Sequence, residues 1–434
     1  MTRSIWPGAA AVPQLPFRRL FSPLRRPVPE DAEIVTAYTD GTVTLRSNRS
    51  KVGYHEAADL SGFQGVAPGD FVVHGLDIMR GSVGIADSAG AISAVCTVCK
   101  PSSAVDPRYV AYAIRLQAAS GYPKALARGV REGGADFRRW DTLGELPIPA
   151  PPVDEQKRIC DYLDFETAEI DEFIADQEQL VGLLGERRVA TISRAVTRGL
   201  DPSARSEETS TSLTGRTPVG WKTGSLRRLI RTIEQGVSPQ AEEGLASEVG
   251  DVGVLKAGCV NGGVFRETEH KRLPNGYPFS QDIVVRTGDL LVNRASGSTD
   301  LLGSAGIVGE LQYALILSDK TFRLRTTREC HDRWLYWFLN STHYRAQIKE
   351  SVSGAEGLAN NLPMSTLRAM RATWPPLGEQ LTIADHLNHE TSEIDAAIAD
   401  AREAIALSKE RRAALISAAV TGQIDLAGVV GVSA

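Results

Sequence analysis

Cys96 and Cys99 form a C-x-x-C within AISAVCTVCKP, the spacing at which two thiolates can share a zinc ion or exchange a disulfide. A zinc site needs further ligands at comparable spacing, and the chain offers no second pair. The flanking Ile92, Ala94 and Val95 suit a buried strand, so packing is the expected role. Five cysteines, an odd number, make no disulfide framework. There is no G-x-x-x-x-G-K-[ST] phosphate loop, no H-E-x-x-H zinc helix and no G-x-S-x-G nucleophile elbow. The glycine-rich run SGSTDLLGSAG (296–306) follows no phosphate-loop pattern, which leaves a recognition loop or an ordinary turn. The seven histidines are scattered and read as structural. The expectation is a chain that is not an enzyme.

At 434 residues the chain exceeds one ordinary domain, and two to four are expected. With 42% hydrophobic and 23% charged residues it can bury sizeable cores. No apolar run approaches the roughly 18–20 residues that cross a bilayer. The opening MTRSIWPGAAAVPQLPFRRLFSPLRRPVP is broken by prolines and arginines before a signal-peptide core can form, so the cytoplasm is the expected compartment. A net charge of −5 argues against a nucleic-acid partner only until it is mapped along the chain. Residues 1–150 carry +3 and 201–374 carry +2, while 151–200 and 375–434 carry −5 each.

Those two acidic blocks are copies of one another. Residues 151–201 align without a gap on 375–425, and about half the positions are identical. PPVDEQ matches PPLGEQ, ETAEIDEFIAD matches ETSEIDAAIAD, and ERRVATISRAVT matches ERRAALISAAVT. Each copy reads as one long helix. Ile159, Leu163, Ile170, Ile174 and Val181 fall at alternating spacings of four and seven, as do Ile383, Leu387, Ile394, Ile398 and Ile405. The Pro-Pro pair stops any earlier helix, and Gly199 and Gly422 end the copies. The stripe is narrow and sustained, as a coiled-coil seam requires, and the partner that shares its period is the other copy. Mutual antiparallel pairing is therefore expected, with packing of each helix on its neighbouring block as the alternative. Arg188 and Arg412 are polar interruptions of the seam, either a register device or a frayed end.

The segments between the helices read as mixed α/β with short strands. VAPGDFVVHGLDIMRGSVGIAD (66–87) echoes VRTGDLLVNRASGSTDLLGSAGIVGE (285–310), and DPRYVAYAIRL (106–116) echoes HDRWLYWFLNS (331–341). In each, a Gly-Asp turn leads into a strand, a polar loop, another strand and an amphipathic helix. DPSARSEETSTSLTGRTP (201–218) is Ser/Thr-rich, as a linker would be.

The order of block and helix, the PP-x-x-EQ helix starts, the ETxEID centres and the ERRxAxISxAVT ends resemble the specificity subunit of type I restriction–modification systems. The resemblance covers nearly the whole chain, and its repeated helical motifs are its specific part. It implies an α+β architecture: target-recognition domains at 1–150 and 219–374, repeated helices at 151–200 and 375–425, a linker at 201–218 and a tail at 426–434. It further implies two long helices paired as an antiparallel coiled coil with pseudo-twofold internal symmetry. Each domain would read one half of a bipartite double-stranded DNA target. The helices would set the spacing and dock modification (methyltransferase) subunits, two of them, with a restriction/translocase subunit in the larger complex. S-adenosylmethionine, ATP and Mg would belong to those partners, with no cofactor or metal in this chain. Consistent with that division, the chain has no Asn/Asp-Pro-Pro-aromatic motif for a flipped base; NNLPM (360–364) lacks the proline pair.

The layout places DNA readout in loops, where Arg and Lys neutralise phosphates and Arg, Asn, Gln or Ser meet base edges. In the first block the candidates are His74, Arg80 and Ser82, then Arg46, Asn48, Arg49 and Lys51, with Arg131 in the loop before the helix. In the second they are Asn293, Arg294, Ser296 and Ser298, then Lys256 and Asn261, with Asn360 and Asn361 before the helix. For each of these an exposed solubilising or turn role is the plain alternative. Glu155, Gln156, Glu379 and Gln380 are expected at the junctions as docking residues. Phe165 and Phe173 lie off the seam and could touch a partner or the adjacent domain. A different class of protein, a coiled-coil scaffold with two protein- or peptide-binding domains, would share the helices but not salt-sensitive binding to duplex DNA.

Overall fold

The computed structural model describes residues 12–49, 62–119, 130, 131, 134, 135, 137–208, 215–248, 250–352, 360–424 and 426. The chain forms two compact units, Met1–Gln177 with Glu403–Ala434, and Glu178–Arg402. Each long helix thus contributes one half to each unit.

In the first unit, strands β1 (Phe21–Leu24), β2 (Phe71–His74), β3 (Val83–Ile85) and β4 (Cys96–Pro101) make an antiparallel sheet in the order β1-β4-β2-β3. Alternation along a strand sends successive side chains to opposite faces. Phe71, Val73 and Cys99 therefore enter one hydrophobic cluster, and Val72, Val98 and Cys96 another. This settles the C-x-x-C: residues three apart on a strand point oppositely and cannot share a metal. Helix α1 (Pro107–Ala119) covers the first face with Tyr109, Val110, Ala113 and Ile114. Helix α2 (Val153–Arg198) follows and brings Ile159, Cys160 and Leu163 to the same cluster.

The second unit repeats the plan. Strands β5 (Ile230–Gln235), β6 (Leu290–Asn293), β7 (Ala305–Ile307) and β8 (Thr321–Thr326) run in the order β5-β8-β6-β7, all antiparallel. Helix α3 (Asp332–Leu339) buries Trp334, Leu335 and Phe338, and helix α4 (Leu377–Val420) follows.

The echoes between blocks hold at the level of single hydrogen bonds. Gly69 and Gly288 both take left-handed φ, +87° and +86°. The next residue in each case is a buried aspartate that closes the turn: Asp70 Oδ2 accepts from Ala67 N at 2.8 Å, and Asp289 Oδ2 from Arg286 N at 2.9 Å. Burying a carboxylate requires pairing. Asp70 pairs with Arg26, and Asp289 with Arg323 and Arg325 at 3.0 and 2.9 Å. Each block also closes on itself before its Pro-Pro pair, Gln14–Pro16 pairing with Pro147–Pro149 and Lys222–Ser225 with Arg371–Trp374. Gln14–Pro16, within the proline-rich opening of the first block, thus makes the pairing that Lys222–Ser225 makes in the second. Within the expected linker, Ser206–Glu208 and Arg216–Pro218 form a small antiparallel hairpin.

The glutamine of each PP-x-x-EQ is a clamp. Gln156 is fully buried; its Oε1 accepts from Asp106 N at 2.9 Å and its Nε2 donates to Pro151 O at 2.8 Å. Gln380, also fully buried, accepts from His331 N at 2.8 Å and donates to Glu329 O and Pro375 O at 2.8 and 2.9 Å. In both units the amide ties the helix start to the turn that opens α1 or α3. The expected docking role for Gln156 and Gln380 is therefore corrected, because neither side chain reaches the surface. Glu379, by contrast, is exposed and accepts from Trp221 Nε1 at 3.1–3.2 Å.

The long helices pair antiparallel in both units. In the first, Ile159 and Leu163 share a cluster with Ile416, Ala419 and Val420. In the second, Ile192, Ala195 and Val196 share one with Ile383, Ala384 and Leu387. Ile170, Ile174 and Ile394 are also buried, whereas Val181, Ile398 and Ile405 are half-buried. Thr167 and Thr391 of the ETxEID motifs turn their hydroxyls back to Leu163 O and Leu387 O, 2.6 Å each, so a polar side chain sits buried without an open donor. The polar seam positions are ion-paired from one helix to the other and are not frayed ends. Arg188 makes two bonds to Asp395 (2.8 and 3.2 Å), and Arg412 makes two to Asp171 (2.8 and 3.1 Å). The arginines are equivalent positions of the repeat, as are the aspartates, so a single pairing rule is written twice.

Two outcomes follow. Gln380→Ala leaves a backbone N–H and two carbonyls without their buried partner and is expected to destabilise the second unit by about 2–4 kcal/mol, read from the midpoint of its unfolding. In a double-mutant cycle, Arg188→Ala and Asp395→Ala should couple by about 0.5–1 kcal/mol, a coupling that shrinks in high salt, since both side chains are partly exposed.

Candidate nucleic-acid interface

In the second unit the loop after β6 is held from three sides. Asn293 is fully buried: its Nδ2 donates to Asn261 Oδ1 at 2.9 Å and Leu301 O at 3.4 Å, and its Oδ1 accepts from Ala295 N at 2.9 Å. It pins the loop and presents no edge to a ligand, a correction to its expected role in base readout. Arg294 Nη1 donates to Asp319 O at 2.8 Å, with its guanidinium 5.8 Å from the Phe322 ring centroid. Ala295–Ser296 pairs with Asn360–Asn361, and Leu362 N donates to Arg294 O at 2.8 Å. Residues from three distant stretches, Asn261, Asn293–Ser296 and Asn360–Asn361, are thereby brought together. Ser298 is exposed; its Oγ accepts from Asp300 N at 3.3 Å, and Ser296 Oγ accepts from Ser298 N at 3.1 Å. Lys256 opens the turn carrying Asn261 and lies 3.9 Å from Glu243.

Sequence reasoning missed Arg345. Its guanidinium donates to Thr299 O at 2.9 Å, Asp300 O at 2.8 Å and Leu302 O, supporting the loop from the helix Thr342–Val352. Nothing in THYRAQIKESV distinguishes this arginine from a solvated one.

The first unit uses the same geometry with different side chains. His74 stands where Asn293 does: His74 N donates to Ser82 O at 3.0 Å, as Asn293 N donates to Ser304 O at 2.8 Å. Gly75 stands where Arg294 does, and Phe137 N donates to Gly75 O at 2.9 Å, the counterpart of the Leu362 bond. His74 Nδ1 accepts from Asp77 N at 3.0 Å, so that ring nitrogen serves the turn. Arg80 is well exposed, 3.9 Å from Asp77. Ser82 is 1% exposed, which corrects its expected role. Arg46 is half-buried and Asn48 donates to Thr44 Oγ1 at 2.9 Å. Arg49 is tied to Asp40 at 2.6 Å and stacks 4.4 Å above Tyr38. Arg131 lies in Val130–Arg131, paired with Gly134–Ala135, and Lys51 lies outside the described residues.

On the helices, Glu155 is half-buried, while Phe165 and Phe173 are each nearly half exposed, at 46% and 45%. Among the described residues no group of His, Cys, Asp or Glu is placed to hold a metal, and no helix is long and apolar enough to cross a membrane. Burial, with Asp77 beside Cys96 and Asp70 beside Cys99, pushes both thiols up to about 12.

No protein-family profile matches the chain. Among curated proteins it is similar to the type I restriction enzyme EcoKI specificity subunit of Escherichia coli (strain K12), 23% identical over 336 residues, 76% of this chain and 68% of that protein. It is 25% identical over 300 residues to the StySPI specificity subunit of Salmonella potsdam, 67% of this chain and 59% of that protein. It is 28% identical over 167 residues to the EcoEI specificity subunit of Escherichia coli, 38% and 28% of the two lengths. Among solved structures, a chain of a type I R-M system superposes with a TM-score of 0.66 at 16% identity, covering 95% of this chain and 99% of that one. The HsdS subunit from Thermoanaerobacter tengcongensis gives 0.50 at 16% identity, covering 98% and 100%. At that identity the structures establish the fold. The fold is that of a protein with two mixed α/β blocks on paired helices. Relatives and architecture point the same way: the chain is similar to specificity subunits of type I restriction–modification systems in sequence and shares the fold of the solved ones.

The buried and exposed candidates should separate in experiment. Asn293→Ala is expected to lower stability by about 1–3 kcal/mol, whereas Ser298→Ala and Arg80→Ala should change it by less than about 0.5 kcal/mol and act on DNA binding instead, read by thermal unfolding beside a binding titration. The five buried cysteines should resist iodoacetamide at pH 8 in the native chain and all react once it is unfolded, because a neutral buried thiol is a poor nucleophile.

Proposed function

We propose that the chain is the non-catalytic DNA-specificity subunit of a type I restriction–modification complex, each block reading one half of a bipartite target and the paired helices setting the spacing. One observation carries this reading: two blocks of the same topology, joined to helices that are copies of one another, carry different side chains at equivalent loop positions, His74 against Asn293 and Gly75 against Arg294. A shared frame with divergent loops suits two different half-sites. In the second block Arg294, Ser296, Ser298, Asn360 and Asn361 are the residues assigned to DNA, with Lys256 and Asn261 beside them. In the first they are Arg80, Arg46, Asn48 and Arg49, with His74, Lys51 and Arg131.

Each well-formed base contact supplies roughly 1–3 kcal/mol of discrimination, and phosphate contacts supply affinity that falls with salt. The blocks carry only +3 and +2, so partner subunits are assigned much of the phosphate contact. Two modification subunits would dock on the acidic helices, Phe165 and Phe173 offering apolar footing and Glu155 and Glu379 marking the junctions. A restriction/translocase subunit would complete the complex. S-adenosylmethionine, ATP and Mg would be bound by those partners.

The test is to express the chain with its modification partner and map methylated adenines across a genome. The expected motif has two short specified parts around a fixed gap. Exchanging residues 1–150 should change one part only, and adding residues to α2 should change the gap. A contiguous motif, or an assembled complex that methylates nothing, would overturn the reading, and binding of peptide without DNA would favour a scaffold.

A further inference from the structure

The C-terminal end of α2 opens into a cavity of about 380 Å³ in the second unit, lined by Arg194, Arg198, Asp201, Ser206 and Arg216 together with small residues of the turn. Arg216 is oriented by Ser206, through Nε to Oγ at 3.0 Å and Nη2 to the carbonyl at 3.1 Å, with Glu208 at 3.8 Å. Arg194 and Arg198 are exposed, and neither guanidinium has an ion-pair or hydrogen-bond partner among the described residues. The nearby acids are otherwise engaged. Asp201 accepts from Ser203 N and Oγ at 2.8 and 2.6 Å, and Glu379, beside Gly199, accepts from Trp221.

The repeat isolates this feature. Ala418 stands at the position of Arg194 and Gly422 at that of Arg198, although the flanking ISxAVT is otherwise shared. Arginines near a helix C-terminus can simply complement its dipole. Yet α4 ends without any basic residue in its last turn, so the scaffold does not require them. Three guanidiniums around one cavity, two of them unpaired, suit an oxyanion with several acceptor oxygens.

We propose that Arg194, Arg198 and Arg216 form a phosphate-binding site particular to the first copy of the repeat, lying outside the readout loops. The phosphate can come from the backbone of bound duplex DNA, a source that rests on the function proposed above, or from free phosphate, which does not. In the DNA case the site adds affinity without sequence preference.

The test uses the full chain and the variants R194A/R198A and R194E/R198E. One arm follows thermal unfolding with inorganic phosphate against chloride at matched ionic strength. The other measures binding of cognate and scrambled duplexes by the chain assembled with its modification subunits, across a salt series. For DNA backbone, R194A/R198A should weaken cognate and scrambled duplexes by a similar factor and make the log–log salt dependence shallower by about 1–2, with a larger loss for the glutamate variant. Loss of phosphate stabilisation alone would identify a free anion as the ligand. Unchanged salt dependence together with unchanged phosphate stabilisation would overturn the site. If the parent assembly binds no DNA, the specificity-subunit reading fails and the phosphate arm still decides this one.

Discussion

Two helices of 46 and 44 residues each carry an apolar stripe that no isolated helix can bury, and this constraint organises the molecule. Each fully buried Ile or Leu is worth about 1.5–3 kcal/mol, so an exposed stripe would be costly many times over. Antiparallel pairing meets the requirement in both units. Hydrophobic burial alone would tolerate a slip along the seam. The Arg188–Asp395 and Arg412–Asp171 pairs discriminate between registers, because only one alignment satisfies both. Their modest energy suffices for that purpose, since register depends on differences rather than on total stability.

The blocks depend on the helices through the PP-x-x-EQ junction. A glutamine amide carries both a donor and an acceptor, which suits a buried joint where a backbone N–H and backbone carbonyls converge. Glutamate could not donate to Pro375 O and Glu329 O, and leucine would leave all three groups unsatisfied. The joint fixes the start of each helix against the helix-opening turn of its block, and so against the sheet carrying the loops. Beyond that joint the loops are stiffened by polar side chains, the buried Asn293 in one unit and the half-buried His74 in the other.

The extent of the repeat, the helix starts and ends, the seam and the parallel plan of the two blocks were all legible in the sequence, because periodicity and duplication are local or one-dimensional signals. The polar seam arginines were legible as interruptions but not as pairs, since each partner lies on the other helix. Ser82 and Asn293 looked like ligand-facing loop residues because Ser and Asn in a glycine-rich stretch have the same composition whether they line a surface or tie down a turn. Arg345 gave no signal, because its role is to donate to carbonyls of a loop more than forty residues away.

By itself, then, the sequence determined which segments must be helices, that these helices occur twice, and that the intervening blocks share a plan while differing in their loops. Backbone propensity, apolar spacing and proline or glycine punctuation act over a few residues and are written in order along the chain. Tertiary structure alone decided which polar side chains face inward and which remain available. Burial and hydrogen-bond satisfaction depend on groups brought together from distant positions, as Asn261, Asn293 and Asn361 are. It also turned PP-x-x-EQ from a helix-start phrase into a buried joint, and gave the unmatched Arg194 and Arg198 a cavity to line.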